Sequence, residues 1–162
     1  MDGRRDNLAV LVCRVHARLC AWPLASVDEI LRHQPLRPLT APAAHVPGLA
    51  RIRGRWIPVV DLASALNLGP GPLDRLVVVH QDGRPAALAV SEVIGVQRLE
   101  RTAVETLPLL LQHGQHDPVE GVATLNQALV ALLDLGRLLP AEALEPAGTP
   151  DGEARETRES AA

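Results

Sequence analysis

The sequence predicts an all-β protein, and three observations carry that prediction. Apolar residues gather into runs of strand length at 8–15, 19–24, 56–60, 76–79, 86–90 and 129–133, bounded by polar or turn-forming residues. Helical periodicity is confined to two short stretches, 62–68 and 135–139, each entered through an aspartate suited to capping. Finally, residues 48–62 lie without a gap over residues 121–135, with Gly48/Gly121, Ala50/Ala123, Asp61/Asp134 and Leu62/Leu135 identical and the apolar pattern matching almost throughout. The same register continues into Leu66 and Leu139.

A hairpin precedes each copy of the repeat, at 8–24 and at 76–90, with a longer connection in the second half. This arrangement predicts two similar small β-barrels in tandem, about 8–75 and 76–140, sharing a core across a pseudo-twofold contact, because neither half is large enough to be comfortable alone. Two related lobes leave a groove between them.

The turns follow from residue chemistry. Asp82-Gly83 separates two apolar runs and readily takes the positive φ angles of a tight hairpin. Arg53-Gly54 is a similar, weaker signal. Residues 33–47 contain four prolines and predict an irregular connection, with Thr40 and Pro42 placed to start a single helical turn. Residues 1–7 are read as a flexible N-terminus. Residues 141–162 have no apolar residue after Leu144 except alanines and proline, so they are read as a disordered acidic tail that cannot offset its ordering entropy.

Composition bounds the function. With 47% hydrophobic and 22% charged residues the balance is globular, and with only Trp22 and Trp56 as aromatics the core must be aliphatic. All 16 basic residues are arginine, and the net charge is −3. Residues 141–162 hold six acids and two arginines, which leaves the body near neutral. A nucleic-acid binder needs a basic face and, for single strands, stacking aromatics, so nucleic acid is not expected. Cys13 and Cys20 lie in or beside apolar runs and read as buried reduced thiols. No apolar run reaches the length of a membrane span and no signal-peptide pattern opens the chain, so a cytoplasmic protein without membrane insertion is expected.

No catalytic constellation stands out. Asp61 and Asp134, one per lobe, raise an aspartyl-hydrolase dyad, but neither is followed by the small hydroxyl residue and glycine of such sites, and a strand-end aspartate capping a short helix explains both. His113, His116 and Asp117 offer three potential metal ligands in one loop, short of a closed four-ligand site. His16, His33, His45 and His80 read as surface or loop residues without partners. Ser26, Ser64 and Ser91 lack a nucleophile elbow. The Gly69-Pro70-Gly71-Pro72 run reads as a turn and not a phosphate cradle. Catalytic residues, metal and cofactor are all expected to be absent. Arg53, at a turn in an aliphatic region, reads on its own as a solvated charge.

The run Gly48-Leu-Ala-Arg-Ile-Arg53-Gly54-Arg-Trp-Ile-Pro58-Val-Val-Asp61-Leu62 resembles the signature segment of the CheW-like family. Val27-Asp28-Glu29-Ile30 is similar to the segment that follows the family's first hairpin. Residues 82–96 are similar to its second hairpin and next strand, and 121–139 to its closing segment. The resemblance covers about residues 8–140. It implies two intertwined five-stranded β-barrels with short helical turns. It also implies an adaptor that binds the cytoplasmic tip of a chemoreceptor and the regulatory domain of a CheA-type histidine kinase. Receptor-facing residues carried over by position are Val27, Glu29, Gly48, Arg53, Leu76 and Val96, with a partner helix in the inter-lobe groove as the implied mode. Arg51 stands where the family usually has Asn, and Asn126-Gln127 where it often has Asp-Gly; a pilus or other chemosensory-like pathway is an alternative to flagellar steering. A peptide- or nucleic-acid-binding small barrel outside chemotaxis is the other binding alternative.

Overall fold

The computed structural model describes residues 7–70, 73–106, 117–141 and 144–147. In chain order the strands are β1 (Asn7–Val15), β2 (Arg18–Pro23), β3 (Val27–Arg32), β4 (Gly48–Ile52), β5 (Arg55–Asp61), β6 (Arg75–Gln81), β7 (Arg84–Val90), β8 (Glu92–Glu100), β9 (Glu105–Thr106), β10 (Val119–Leu125) and β11 (Ala128–Leu133). Two single-turn helices, α1 (Leu62–Ala65) and α2 (Leu135–Leu138), follow β5 and β11. Asp61 and Asp134 cap them, accepting from the backbone N–H of Ser64 at 3.1 Å and of Gly136 at 2.9 Å.

Left-handed residues close the hairpins. Arg53-Gly54 has φ of 52° and 78°, and Asp82-Gly83 has φ of 52° and 78°, which are the paired positive angles a two-residue hairpin loop requires. Asn126-Gln127 adopts the same geometry, φ 50° and 68°, without a glycine. Asparagine tolerates that region because its short polar side chain hydrogen-bonds locally.

Two sheets result, in the orders β8-β1-β2-β11-β10-β9 and β3-β6-β7-β5-β4. The first hairpin, β1–β2, therefore sits with the second repeat copy, and the second hairpin, β6–β7, sits with the first copy. The boundary expected near residue 75 divides the sequence repeat but not the space, since each sheet takes strands from both halves. Five strands form one sheet and six the other, the sixth being the two-residue β9. The pseudo-twofold is visible in the pairing. β5 runs parallel to β7, and β11 parallel to β2. A bulge interrupts β3 at Asp28 and β8 at Ile94, at the same distance from each hairpin.

In the five-stranded sheet the two edges, β3 and β4, lie at opposite ends of the strand order, yet Arg53 Nε donates to Glu29 Oε2 at 2.6 Å. The sheet therefore curls far enough for the β4–β5 turn to reach the opposite edge strand, in the barrel-like sense that the repeat implied.

Three cores hold the molecule. Ala50, Ile52, Ile57, Val59, Leu76, Val78, Ala87 and Ala89 fill one lobe, and Val10, Val12, Ala21, Leu99, Ala123, Val130 and Leu132 fill the other. The largest lies between the lobes and includes Leu11, Cys13, Val15, Trp22, Val77, Val79, Leu88 and Val90. Alternate residues of β1 and β6 thus enter different cores, which is why these strands read as unbroken apolar runs. Cys13 and Cys20 are directly opposed across β1 and β2, free and fully buried. Desolvation pushes each thiol up to about 12.

The inter-lobe core corrects one expectation. The space between the lobes is packed, so the anticipated groove is restricted to its margin, where a cavity of about 780 Å³ opens between residues 39–46 and the segment from Arg137 to Ala141. Other corrections are local. Thr40 starts no helical turn; the chain there bridges Ala43 to Val46 through His45, at φ 62°. Asn7, read as flexible, pairs with Glu100 in β1. Residues 144–147, read as part of the tail, are placed. Thr40 N–H donates to Glu145 O, Ala147 N–H donates to Pro38 O, and Leu144 packs on the shared core, so one leucine and these backbone bonds order a segment whose composition looks unfoldable. Residues 1–6, 71–72, 107–116, 142–143 and 148–162, including His113 and His116, lie outside the described residues.

Candidate functional site

The hairpin turn after β4 aims Arg53 across the seam of the curled sheet. Arg53 itself needs φ of 52°, a conformation the following Gly54 makes affordable by completing the tight turn. Its guanidinium meets Glu29, on the far edge strand, at 2.6 Å, with side-chain exposures of 77% for Arg53 and 22% for Glu29. The hydrogen bond to Glu29 and that carboxylate's charge raise the arginine's pKa further, so it is a permanent cation. The carboxylate orients the guanidinium, while the remaining N–H donors face solvent, a geometry suited to acceptors on a partner. This ion pair breaks the pseudo-symmetry. The repeat sets Asn126 at the place of Arg53, and the bulge register sets Gly95 at that of Glu29.

The structure sorts the other residues carried over by position. Val96 is on β8, 52% exposed. Val27 is half-buried at the start of β3 and packs on the shared core. Leu76 is 0% exposed inside one lobe, so it cannot touch a partner. Gly48 is also buried, and a β-carbon there would stand 2.6 Å from the Arg37 carbonyl oxygen. These two residues support the hairpin that carries Arg53, and they correct the expectation that they face a receptor. Three exposed apolar residues escaped the sequence reading, Ile30 on β3, Ile94 on β8 and Leu129 on β11. The signal was available. Ile30 and Val96 occupy matching positions after the two bulges, on strands whose burial strictly alternates.

Other candidates resolve into local structure. Asp61 and Asp134 each cap their own helix, and Asp134 also lies 3.4 Å from Arg137 Nε. Beside Asp134, Glu120 is raised above the usual carboxylate range, by burial first and by the Asp134 charge second. Three histidines expected to be unpartnered have partners. His16 Nε2 lies 3.1 Å from Gly69 O, His45 Nδ1 lies 2.7 Å from Ser64 Oγ, and His80 Nδ1 lies 2.8 Å from Asp28 Oδ1. Among the described residues no group of three metal-ligating side chains forms, and no helix is long and apolar enough to cross a membrane.

Residues 9–143 match the CheW-like domain family, a span that includes both lobes and the Arg53 hairpin. The chain belongs to the CheW-like domain family. Relatives agree in kind. The Protein PilI of Pseudomonas aeruginosa is 35% identical over 102 residues, a match spanning 60% of this chain and 57% of that protein. The chemotaxis protein CheW of Rhizobium meliloti is 23% identical over 149 residues, spanning 90% of this chain and 94% of the other. The fold is that of the scaffolding protein TtCheW from Thermoanaerobacter tengcongensis, with a TM-score of 0.75 at 21% identity over 85% of this chain and 99% of that one. A CheW-like chain with these relatives is a scaffold or adaptor of chemotaxis or of a chemosensory-like system.

Proposed function

We propose that the protein couples chemoreceptors to a CheA-type histidine kinase without catalysing a reaction, binding a helix of the receptor tip at the seam of the five-stranded sheet. The observation that carries this reading is the Arg53–Glu29 pair. It fixes an exposed, permanently charged donor fork against β3, the strand that also exposes Ile30, in one lobe only. A single asymmetric site lets two similar lobes hold two different partners. Val27, Glu29 and Arg53 supply the receptor side, Gly48 and Leu76 hold the hairpin beneath it, and Val96 with Ile94 offers a second apolar edge on the other lobe. The likeness to the Protein PilI of Pseudomonas aeruginosa, beside those to chemotaxis proteins, fits a chemosensory-like pathway as readily as flagellar steering.

The test is co-sedimentation with a receptor signalling fragment. Arg53→Glu is expected to set one carboxylate against both Glu29 and the receptor's acceptors, and to reduce retention at least tenfold with Tm unchanged. Retention equal to that of the unsubstituted protein removes Arg53 from the site.

A further inference from the structure

The pseudo-twofold sets His80 of β6 in the place of Arg14 of β1. Val79 faces Val27 just before the bulge in β3, as Cys13 faces Val93 just before the bulge in β8. Each of the two residues that follow, His80 and Arg14, holds an acid on the bulged strand. Arg14 Nε donates to Glu92 Oε2 at 3.4 Å, and Glu92 precedes its bulge. His80 Nδ1 lies 2.8 Å from Oδ1 of Asp28, the bulged residue itself. One lobe therefore clasps its edge strand with a permanent cation and the other with an imidazole, the side chain whose charge ordinarily changes between about pH 5 and 8.

This clasp is one residue away from the Arg53 site. A bulge re-aims the side chains beside it. The residue after Asp28 is Glu29, which turns away from solvent to 22% exposure and accepts from Arg53 Nε at 2.6 Å. Asp28 has no register partner on β6, so its bond to His80 ties the bulge to the neighbouring strand. The other elements packed on β6 bring no rival acid among the described residues. On β3, Glu29 is held by Arg53 and Arg32 lies opposite Arg75; β7 sets Pro85 opposite His80, and its Arg84 donates to Pro140 O. Residues Leu24–Ser26 carry no charge, and Asp82 lies in the turn beyond Gln81. A neutral imidazole donates an ordinary hydrogen bond to Asp28, whereas the cation makes a charge-assisted one, roughly twice as strong.

We propose that His80 is a positioning residue for the Arg53 site and makes that site pH-sensitive: through Asp28 it fixes the β3 bulge that aims Glu29 at Arg53, most firmly when the imidazole is cationic. The effect on Arg53 stands on the geometry of β3 and β6, and only its consequence for a receptor rests on the function proposed above. Both members of the clasp are about half exposed, which limits the effect on binding to about two- to fivefold.

The full-length chain tests it. The carbon-detected ¹⁵Nε shift of Arg53 is expected to move between about pH 8 and pH 6 with the same midpoint as the His80 ring. It is expected to stay still in His80→Arg, which copies the Arg14 of the other lobe, and in Asp28→Asn. Retention by a receptor signalling fragment is expected to rise about two- to fivefold from the higher pH to the lower. His80→Arg is expected to hold the greater retention at both, with Tm unchanged. An Arg53 signal that ignores the His80 ring overturns the proposal, as does retention that varies equally with pH in His80→Arg. A signal that follows His80 while retention ignores both pH and Arg53→Glu upholds the proposal and overturns the receptor reading instead.

Discussion

Replacing Gly48 by alanine tests whether the repeat's first glycine is there for close packing. The added β-carbon would lie 2.6 Å from the Arg37 carbonyl oxygen and 3.1 Å from Leu36 Cβ. The nearer atom is backbone, which cannot swing aside as a side-chain tip can. Restoring ordinary contact of about 3.4 Å requires the crossing segment to lift by about 0.8 Å. That movement stretches the reciprocal Arg37–Leu49 backbone hydrogen bonds, both 2.8 Å, each of which contributes about 1 kcal/mol net. Alanine's preference for a strand over glycine returns about 0.5–1 kcal/mol, and overpacking costs about 1–3 kcal/mol. The balance is a loss of about 2 kcal/mol, or roughly 4–8 °C in Tm for a chain of this size. Gly121, its repeat mate, would meet the Glu105 carbonyl oxygen at 2.8 Å, so Gly121→Ala should behave alike. Urea unfolding with a shared slope measures both. A Gly48→Ala protein as stable as the original would show that residues 36–37 give way freely and that close approach does not select the glycine.

The remaining predictions separate support from contact and burial from chemistry. Leu76→Ala should cost about 2–5 kcal/mol by calorimetry, as for a fully buried leucine, whereas Val96→Asp should leave stability within about 0.5 kcal/mol and weaken partner retention. Asp61→Ala and Asp134→Ala should each cost about 1 kcal/mol of stability in urea, the loss of one helix cap. The buried thiols have folded pKa values of about 12 against an ordinary 9.0. Their stabilising effect is therefore complete below pH 9.0 and is lost as pH rises towards about 12. The urea midpoint should fall across that window, and the fall should shrink in the Cys13→Ala, Cys20→Ala double variant.

The strands buried on both faces were legible because each is a continuous apolar run; β1, β6 and β7 feed a lobe core on one side and the shared core on the other. Strands β3 and β8 carry no such run. They are edge strands with one face in solvent, and their alternating residues, such as Asp28, Ile30 and Arg32, stand out only once the family segment or the bulge register is laid over them. The repeat revealed twin lobes, and the exchange of hairpins between them came only from the family resemblance, because a gapless repeat is equally compatible with side-by-side barrels. Arg53 could be singled out by its motif, but its bond to Glu29 depends on sheet closure, which joins residues 24 positions apart across the ends of the strand order. Leu76 and Gly48 were misassigned as contacts because a position carried over from a family does not distinguish a side chain that touches a partner from one that holds the contacting loop in place. Residues 144–147 were lost to composition; a single leucine with a backbone ladder ordered what charge and small residues had disguised.

Coupling itself is tested most directly by sedimenting a receptor signalling assembly with a CheA-type kinase, with and without this protein. The account predicts that the kinase enters the pellet in the protein's presence, in proportion to the amount of it bound, and that Arg53→Glu removes both together. A kinase that pellets equally without the protein, or a protein that remains in the supernatant beside both partners, contradicts it.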